Sequence, residues 1–183
     1  MSGVSGVGSG WVVRRAVAED AAGIARVSVA AWRAGYSGIM AEARLASLSL
    51  EERVKRWQAR LAGREAPVAT TFVAEQLGAV GGFVSYGAAR EPVPEYGATC
   101  GEIWAIYVDP TLWGKGAGRA LLEAALGGLR GDGFTSFVLW VLRDNARARR
   151  FYERAGMGAD GAEKAPVDEG GERLPHVRYR GSV

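Results

Sequence analysis

Cysteine and histidine are almost absent from this chain of 183 residues, which contains one of each, Cys100 and His176. A single cysteine cannot form a disulfide within the chain, so we expect a reducing, cytoplasmic location. With so few sulfur and imidazole ligands, a zinc site is not expected, and we predict no metal. No run of 18 apolar residues occurs, so the sequence predicts no transmembrane helix.

The first ten residues, MSGVSGVGSG, lack both a charged segment and a long apolar segment. A secretory signal needs both, so residues 1–10 are interpreted as a flexible leader. The chain as a whole is 48% hydrophobic and 23% charged, which is an ordinary globular composition. We therefore predict one domain over residues 11–183.

The balance of charge is mildly basic, with a net charge of +3. This balance suits an anionic ligand, but there is no long basic run of the kind that binds nucleic acid. The densest basic segment, residues 143–154, also contains Asp144 and Glu153. We predict no nucleic-acid partner and no membrane partner.

Apolar periodicity predicts an α/β fold around a mixed central sheet of about seven strands, flanked by about four helices. The predicted strands cover residues 11–14, 72–75, 81–86, 102–108, 137–142, 157–162 and 174–179. The predicted helices lie near residues 24–32, at 50–61, at 117–130, and after Asp144, which is expected to cap the last of them. Residues 102–108 and 137–142 are apolar on both faces, which is typical of central strands covered on both sides.

Three glycines, Gly114, Gly116 and Gly118, lie between a predicted strand and a predicted helix. The first amides of a helix have no intrahelical partner, and glycines let the backbone approach a phosphate closely. A simple turn that needs glycine for its dihedral angles explains the spacing equally well. Gly114-Lys115 is followed by Gly116, so it is not a Walker A motif, and Arg119 occupies the last glycine position of a Rossmann fingerprint.

The segment IWAIYVDPTLWGKGAGRALL, followed by FVLWVLRDNARARRFYERAGM, resembles the core of the GNAT family of N-acetyltransferases. In that family the loop fits Q/R-x-x-G-x-G/A and a later helix fits N-x-x-A-x-x-F-Y-x-x-x-G-F. Asn145, Ala148, Phe151, Tyr152 and Gly156 match the second pattern. Trp113 replaces the usual Gln or Arg of the first. It would either lie against the cofactor or pack on the sheet, and we expect packing. Residues 30–57 are similar to the first two helices of uncharacterised bacterial members.

The resemblance implies that acetyl-CoA binds where the fourth strand, ending at Val108, splays from the fifth, ending at Leu142. The pyrophosphate would bind the backbone of the glycine loop, and the pantetheine arm would bind the fourth strand and one asparagine. The implied cofactor-binding residues are Ile106, Tyr107, Val108, Trp113, Gly114, Lys115, Gly116, Ala117, Gly118, Arg119 and Asn145. Arg143, Arg147, Arg149 and Arg150 are candidates for the 3′-phosphate, although a solvated helix face explains most of them.

Two residues occupy positions that the resemblance makes catalytic. Tyr152 would give a proton to the leaving thiolate, although it is also interpretable as a core aromatic residue. Glu102, at the start of the fourth strand, would act as the base for the amine, or would be a solvated strand end. Glu75 and Asp109 are weaker candidates for that base.

The acceptor side is expected to come from the first two helices and the last hairpin, with Trp32, Tyr36 and Trp104 in its wall. His176 could line the acceptor pocket, but a lone histidine on a strand is expected to be structural and is not predicted to be the base. Cys100 is expected to pack in the core. The resemblance implies direct transfer of an acetyl group to a primary amine of a small molecule or protein, by a monomer or homodimer. The sequence leaves two other hypotheses open: a non-catalytic acyl-CoA-binding module, and a nucleic-acid-binding domain suggested by the basic pI alone.

Overall fold

The computed structural model describes residues 10–64, 69–97, 99–167 and 171–183. The leader predicted at the N-terminus falls, except for Gly10, outside the described residues. In the described part, seven strands form one sheet and five α-helices flank it. The strands are β1 (Val12–Arg15), β2 (Thr70–Gln76), β3 (Ala79–Ala88), β4 (Cys100–Val108), β5 (Ser136–Leu142), β6 (Gly158–Lys164) and β7 (His176–Ser182). The helices are α1 (Ala21–Gly35), α2 (Glu42–Ala46), α3 (Leu50–Leu61), α4 (Ala117–Gly131) and α5 (Ala146–Arg154).

The sheet has the order β1-β2-β3-β4-β5-β7-β6, and its ladders are antiparallel except for β4 beside β5. Apolar residues of β2 and β3 face α1 and α3 on one side, where Phe83 packs edge-on against Trp57 at 5.0 Å between ring centroids. On the other side, α4 and α5 cover the sheet with Leu121 and Tyr152. Helices therefore cover both faces of the sheet, which confirms the predicted α/β architecture.

Side chains at the helix starts explain where two helices begin. Ser49 caps α3 by accepting a hydrogen bond from the amide of Glu52 at 3.2 Å. Asn145 caps α5 in the same way, because its Oδ1 accepts from the amide of Ala148 at 3.0 Å. The prediction that Asp144 caps this helix was wrong: it lies one residue too early, and a capping side chain must reach the amides two or three residues further on.

The sheet splays between β4 and β5. These parallel strands pair only from Cys100 with Ser136 to Ile103 with Leu139, and the rest of β4 has no partner on β5. A β-bulge marks the same place, since Ser85 of β3 pairs with Ala105 while the next residue of β3 pairs with Ile103. Trp104 is thus the extra residue, and the end of β4 presents its edge to the gap.

Two neighbouring glycines of α4 provide a test of the packing. Gly127→Ala is expected to raise the free energy of unfolding by about 0.5–1 kcal/mol, because an added Cβ meets nothing and alanine loses less backbone entropy. Gly128→Ala is expected to lower it by about 1–3 kcal/mol. Its Cβ would overlap the hydroxyl of Tyr86, which is buried and donates to Asp132 at 3.0 Å. Urea unfolding measures both, and equal shifts in the same direction would contradict this packing.

Candidate active site

A cavity of about 1000 Å³ opens where β4 and β5 separate. Its walls come from both strands, the glycine loop, α5, the C-terminal end of α1, and the beginning of β7. Glycine-loop and α5 residues line one end, and aromatic residues of α1, β4 and β5 line the other. The cavity therefore joins two regions of different chemistry, one rich in backbone amides and arginine, the other in rings.

The unpaired end of β4 forms one wall of this cavity through Ile106, Tyr107 and Val108. On its other edge the strand is fixed by β3, where Val84 pairs with Ile106. Amides that point into the gap have no strand beside them, so an extended ligand can pair with this edge like an added strand. The structure thus places all three predicted residues of β4 at the cavity.

Glycine is required in the loop for its backbone angles. Gly114 has a φ of 75°, and Gly116, the N-cap of α4, has a φ of 89°, both in the left-handed region. Because the N-cap has no side chain, nothing competes for the amides of Ala117, Gly118 and Arg119, which lack intrahelical acceptors. The two interpretations of the glycines, a turn that needs their dihedral angles and a site for an anion, are therefore compatible in one loop.

The charged side chains of the glycine loop, those of Lys115 and Arg119, are less well placed toward the cavity than the loop backbone. The Lys115 side chain is absent from the cavity wall, and its carbonyl accepts from the indole N–H of Trp11 at 2.8 Å. Arg119 lines the rim, but its side chain is 84% exposed and pairs with Glu123 at 2.8 Å. The backbone of the loop, held in place by Trp11, is thus better placed toward the cavity than these charges are.

Trp113, which replaces the usual Gln or Arg of the resembled motif, ties the loop to the strand before it. Its indole Nε1 donates to the carbonyl of Val108 at 2.9 Å. Its ring lies under the guanidinium of Arg147, 3.5 Å from the ring centroid. The side chain is half-buried and lines the cavity, so it both packs and holds Arg147 at the wall.

The four arginines considered for the 3′-phosphate divide into two pairs. Arg147 and Arg150 line the cavity, and burial together with the nearby Arg150 lowers the pKa of Arg147. Arg143 instead pairs with Glu163 at 2.6 Å, and Arg149 donates to the hydroxyl of Tyr179 at 3.1 Å. Arg147 and Arg150 lie on one face of α5, whereas Arg149 lies on another and Arg143 precedes the helix. Arg154, one turn beyond Arg150, also lines the cavity and was not predicted from the sequence.

Tyr152 lies in the cavity wall on α5 and is only 7% exposed. Its ring packs against Phe151 at 5.3 Å and Tyr179 at 6.1 Å between centroids. Burial, with a smaller contribution from Tyr107, raises the pKa of its phenol well above the ordinary value. The hydroxyl therefore keeps its proton at neutral pH and is able to donate it. Asn145, at the start of the same helix, also lines the cavity, with its Oδ1 used as the cap.

Glu102 has a different position, since it is 2% exposed and is not among the residues that line the cavity. Its Oε2 accepts from the amide of Arg90 at 2.9 Å, and its Oε1 accepts from the Arg90 guanidinium, with Nε at 3.0 Å. Arg90 does line the cavity and lies over the ring of Trp104, 5.4 Å from its centroid. The structure thus places Glu102 behind Arg90.

The weaker carboxylates and the single thiol lie away from the cavity wall. Glu75 pairs with Arg14 at 2.7 Å, and Asp109 accepts from the amide of Thr111 at 3.0 Å. Cys100 packs against Val93 and Val138, as predicted, and burial raises the pKa of its thiol. Among the described residues, no group of three metal-ligating side chains is present, and no helix there is long and apolar enough to cross a membrane.

The predicted acceptor residues Trp32, Tyr36 and Trp104 all line the cavity. The hydroxyls of Tyr36 and Tyr107 lie 3.0 Å apart, and burial followed by the neighbouring Tyr107 raises the pKa of Tyr36. Behind them Arg53 of α3 lies 4.6 Å from the centroid of the Trp32 ring and donates to Ser28. The result is a wall of rings with fixed phenols.

His176, Lys164 and Trp140 complete the cavity on the side of β5, β6 and β7. The ammonium of Lys164 lies 4.2 Å from the Trp140 ring centroid and pairs with Glu91 at 2.7 Å. The sequence gives no indication of Arg90, Lys164 and Trp140, because single cations and a tryptophan in a buried strand carry no local signal for a site.

Comparison with known proteins agrees with this geometry. Residues 32–157 match the model of the acetyltransferase (GNAT) family. The chain is 37% identical over 134 residues to the uncharacterized N-acetyltransferase YuaI of Bacillus subtilis (strain 168), which covers 73% of this chain and 72% of YuaI.

Two solved structures share the fold. PaiA N-acetyltransferase from Thermoplasma acidophilum, in complex with coenzyme A, has a TM-score of 0.71 at 18% identity, covering 94% of this chain and 99% of that one. YncA from Salmonella typhimurium, solved with its cofactor acetyl-CoA, has a TM-score of 0.65 at 24% identity, covering 94% of each chain. The family match and the YuaI match, over a fold with a splayed β4 and a glycine loop, establish that this chain belongs to the GNAT family of acetyltransferases.

Proposed function

We propose that the protein transfers an acetyl group from acetyl-CoA to a primary amine of a small molecule or protein, by direct attack in a ternary complex. One observation carries the proposal: the splay beyond Ile103 and Leu139 opens a single cavity from the glycine loop, past Tyr152, to the ring-lined end. A cofactor at one end and an amine at the other would meet beside Tyr152.

The cofactor would lie along the arginine-rich end. The backbone amides of Gly114 and of residues 116–119 bind the pyrophosphate, where the helix dipole of α4 favours negative charge. The amides of Trp113 and Lys115 already donate to the carbonyls of Pro110 and Leu112. Arg147 and Arg150 bind the 3′-phosphate. The pantetheine arm pairs with the free edge of Ile106–Val108, and the Asn145 amide nitrogen, which the cap leaves unused, donates to it.

The reaction itself needs little covalent chemistry from the protein. An amide of β4 that points into the splay polarises the thioester carbonyl and stabilises the oxyanion that forms as the amine attacks. The tetrahedral intermediate then collapses, and Tyr152 gives its proton to the departing thiolate. Cys100 lies outside the cavity wall and takes no part, so the acetyl group passes directly to nitrogen.

Glu102 as the base stays a prediction, and its position defines the test. Its carboxylate would act through water and past Arg90, since Glu102 does not line the cavity. Glu102→Gln keeps the shape of the side chain and removes the base. A loss of turnover without a change in the pH dependence would indicate that Glu102 positions Arg90 and does not accept the proton.

The cofactor half of the proposal predicts stabilisation by acetyl-CoA. At about 100 times its Kd, a ligand of the folded state adds about 2.7 kcal/mol, which corresponds to a rise of about 5–10 °C in Tm for a chain of this size. Differential scanning fluorimetry with acetyl-CoA, and with adenosine as a ligand that lacks the phosphates, measures this rise. Absence of any shift at millimolar acetyl-CoA would contradict the proposal.

The transfer half is tested by thiol release from acetyl-CoA with a panel of small amines, amino acids and peptides. We expect at least one class to release CoA faster than water does, and mass spectrometry to find the acetylated amine. Stabilisation by acetyl-CoA with no transfer to any member would instead identify a non-catalytic acyl-CoA-binding module.

A further inference from the structure

Acetyl transfer to an amine releases one proton. Glu102 could take it only through water and past Arg90, and few residues of the cavity wall itself are able to accept it. Among the described residues of the wall, the arginines and Lys164 are already protonated, and the phenols of Tyr36, Tyr107 and Tyr152 keep their protons because burial raises their pKa. Glu91 is occupied by Lys164 at 2.7 Å. His176 remains.

The fold directs His176 toward the acceptor end of the cavity. It is the first residue of β7 and pairs with Leu142 of β5 on one side and Lys164 of β6 on the other. Paired residues of antiparallel strands point to the same face of a sheet. Leu142 belongs to an apolar cluster with Met40 and Leu45, against which Trp32 and Tyr36 also pack. His176 lines the same cavity as these two rings.

A hydrogen bond to the backbone fixes which ring nitrogen is free. His176 Nδ1 lies 2.6 Å from the carbonyl oxygen of Leu174, which accepts and cannot donate. Nδ1 therefore carries the proton, and Nε2 presents a lone pair. Burial lowers the pKa of His176 below its ordinary value, although the bond to Leu174 acts the other way, and the charge of Lys164 lowers it further. A lowered pKa favours the neutral ring at pH 7. Tyr36 of α1, Arg44 of α2 and the Lys164–Glu91 pair are the other polar groups facing this compartment.

We propose that Nε2 of His176 accepts the proton that the acceptor amine loses during transfer, an assignment that rests on the proposed function. The amine attacks the thioester carbon, and its nitrogen becomes acidic as the C–N bond forms. Nε2 takes one N–H proton, the C–S bond breaks, and the sulfur takes the Tyr152 proton. The imidazolium, held by the Leu174 carbonyl, returns its proton through solvent to regenerate Tyr152.

Because His176 is the only histidine in the chain, its state is directly measurable in a protein without a histidine tag. Nitrogen-15 NMR of the imidazole is expected to show a protonated Nδ1, an unprotonated Nε2, and a titration midpoint below 6.5. A protonated Nε2 in the neutral ring, or an imidazolium at pH 7, would overturn the proposal whether or not the amine acceptor is known.

Kinetics with the best amine of the panel tests the role itself. His176→Asn can keep a donor to the Leu174 carbonyl while it removes Nε2, so kcat is expected to fall about 10²–10⁴-fold and to lose the decline seen with wild type at low pH. His176→Gln is the second variant if the first does not fold. Arg180→Gln, on the same face of β7 but outside the cavity wall, is the matched control.

The outcomes separate the two proposals. If wild type transfers acetyl and His176→Asn matches it in kcat and pH profile, only the assignment to His176 is wrong. If wild type transfers acetyl to no amine while binding acetyl-CoA, the proposed function is wrong and the role of His176 falls with it.

Discussion

Tyr152→Phe is expected to lower kcat about 10²–10⁴-fold while leaving the affinity for acetyl-CoA nearly unchanged. The substitution removes one oxygen from a side chain that lines the cavity and whose phenol, by burial, stays protonated at neutral pH. The ring contacts with Phe151 and Tyr179 remain, so the fold and the cofactor end are preserved. Steady-state thiol release and calorimetric titration with acetyl-CoA measure the two quantities.

Tyr179→Phe is the matched control for this experiment. It also removes a phenolic oxygen from the same cluster of rings, but its hydroxyl donates to Glu153 at 2.6 Å and is not part of the cavity wall. It is expected to keep its kcat and to lose the stability of two hydrogen bonds, the one to Glu153 and the one from Arg149, about 1–3 kcal/mol. Equal turnover in Tyr152→Phe and Tyr179→Phe would show that Tyr152 is a core aromatic residue and not the acid.

Arg90→Ala is expected to lower the free energy of unfolding by about 2–3 kcal/mol, equivalent to about 4–12 °C in Tm. The reason is the carboxylate left behind: Glu102 has a side chain that is only 3% exposed and would lose its cation. Since 44% of the Arg90 side chain is exposed, the loss is smaller than for a fully buried pair. Chemical denaturation at neutral pH measures it.

Lys55→Ala supplies the comparison, because Lys55 pairs with Glu51 across one turn of α3 with both side chains more than two-thirds exposed. It is expected to cost no more than about 0.5 kcal/mol. Adding Glu102→Gln to Arg90→Ala should recover part of the loss, since the amide carries no charge to bury. If Arg90→Ala is as stable as Lys55→Ala, the Arg90–Glu102 pair contributes little to the fold.

The sequence predicts the layers of this fold better than it predicts the site. The apolar runs 102–108 and 137–142 indicate two buried central strands, and the structure confirms both. Their separation beyond Ile103 follows from the family resemblance and not from the runs themselves, because apolar periodicity reports burial and carries no information on the distance between strands.

Within the site, the residues that sequence reasoning places well are those fixed by local geometry. Gly116 needs its left-handed backbone, and Asn145 needs its place at a helix start. Contacts between segments that are distant in the chain are not predictable in this way. Burial of Glu102 behind Arg90 depends on how the loop after β3 folds back, and the Trp113 bond to Val108 depends on the conformation of the glycine loop. No local pattern encodes either.

The bulge at Trp104 constrains how the length of this chain can change. Ile103 and Ile106 both face α4 although they are three positions apart in the strand, because the extra residue reverses the alternation of side chains between them. Deleting one residue at 104 would restore regular alternation and turn Ile106 and Val108 away from α4, while Tyr107 would leave the face it shares with Tyr36. Substitutions can therefore change one side chain of the acceptor wall at a time. A single deletion at 104 would instead exchange the side chains that face the core with those that face the acceptor wall.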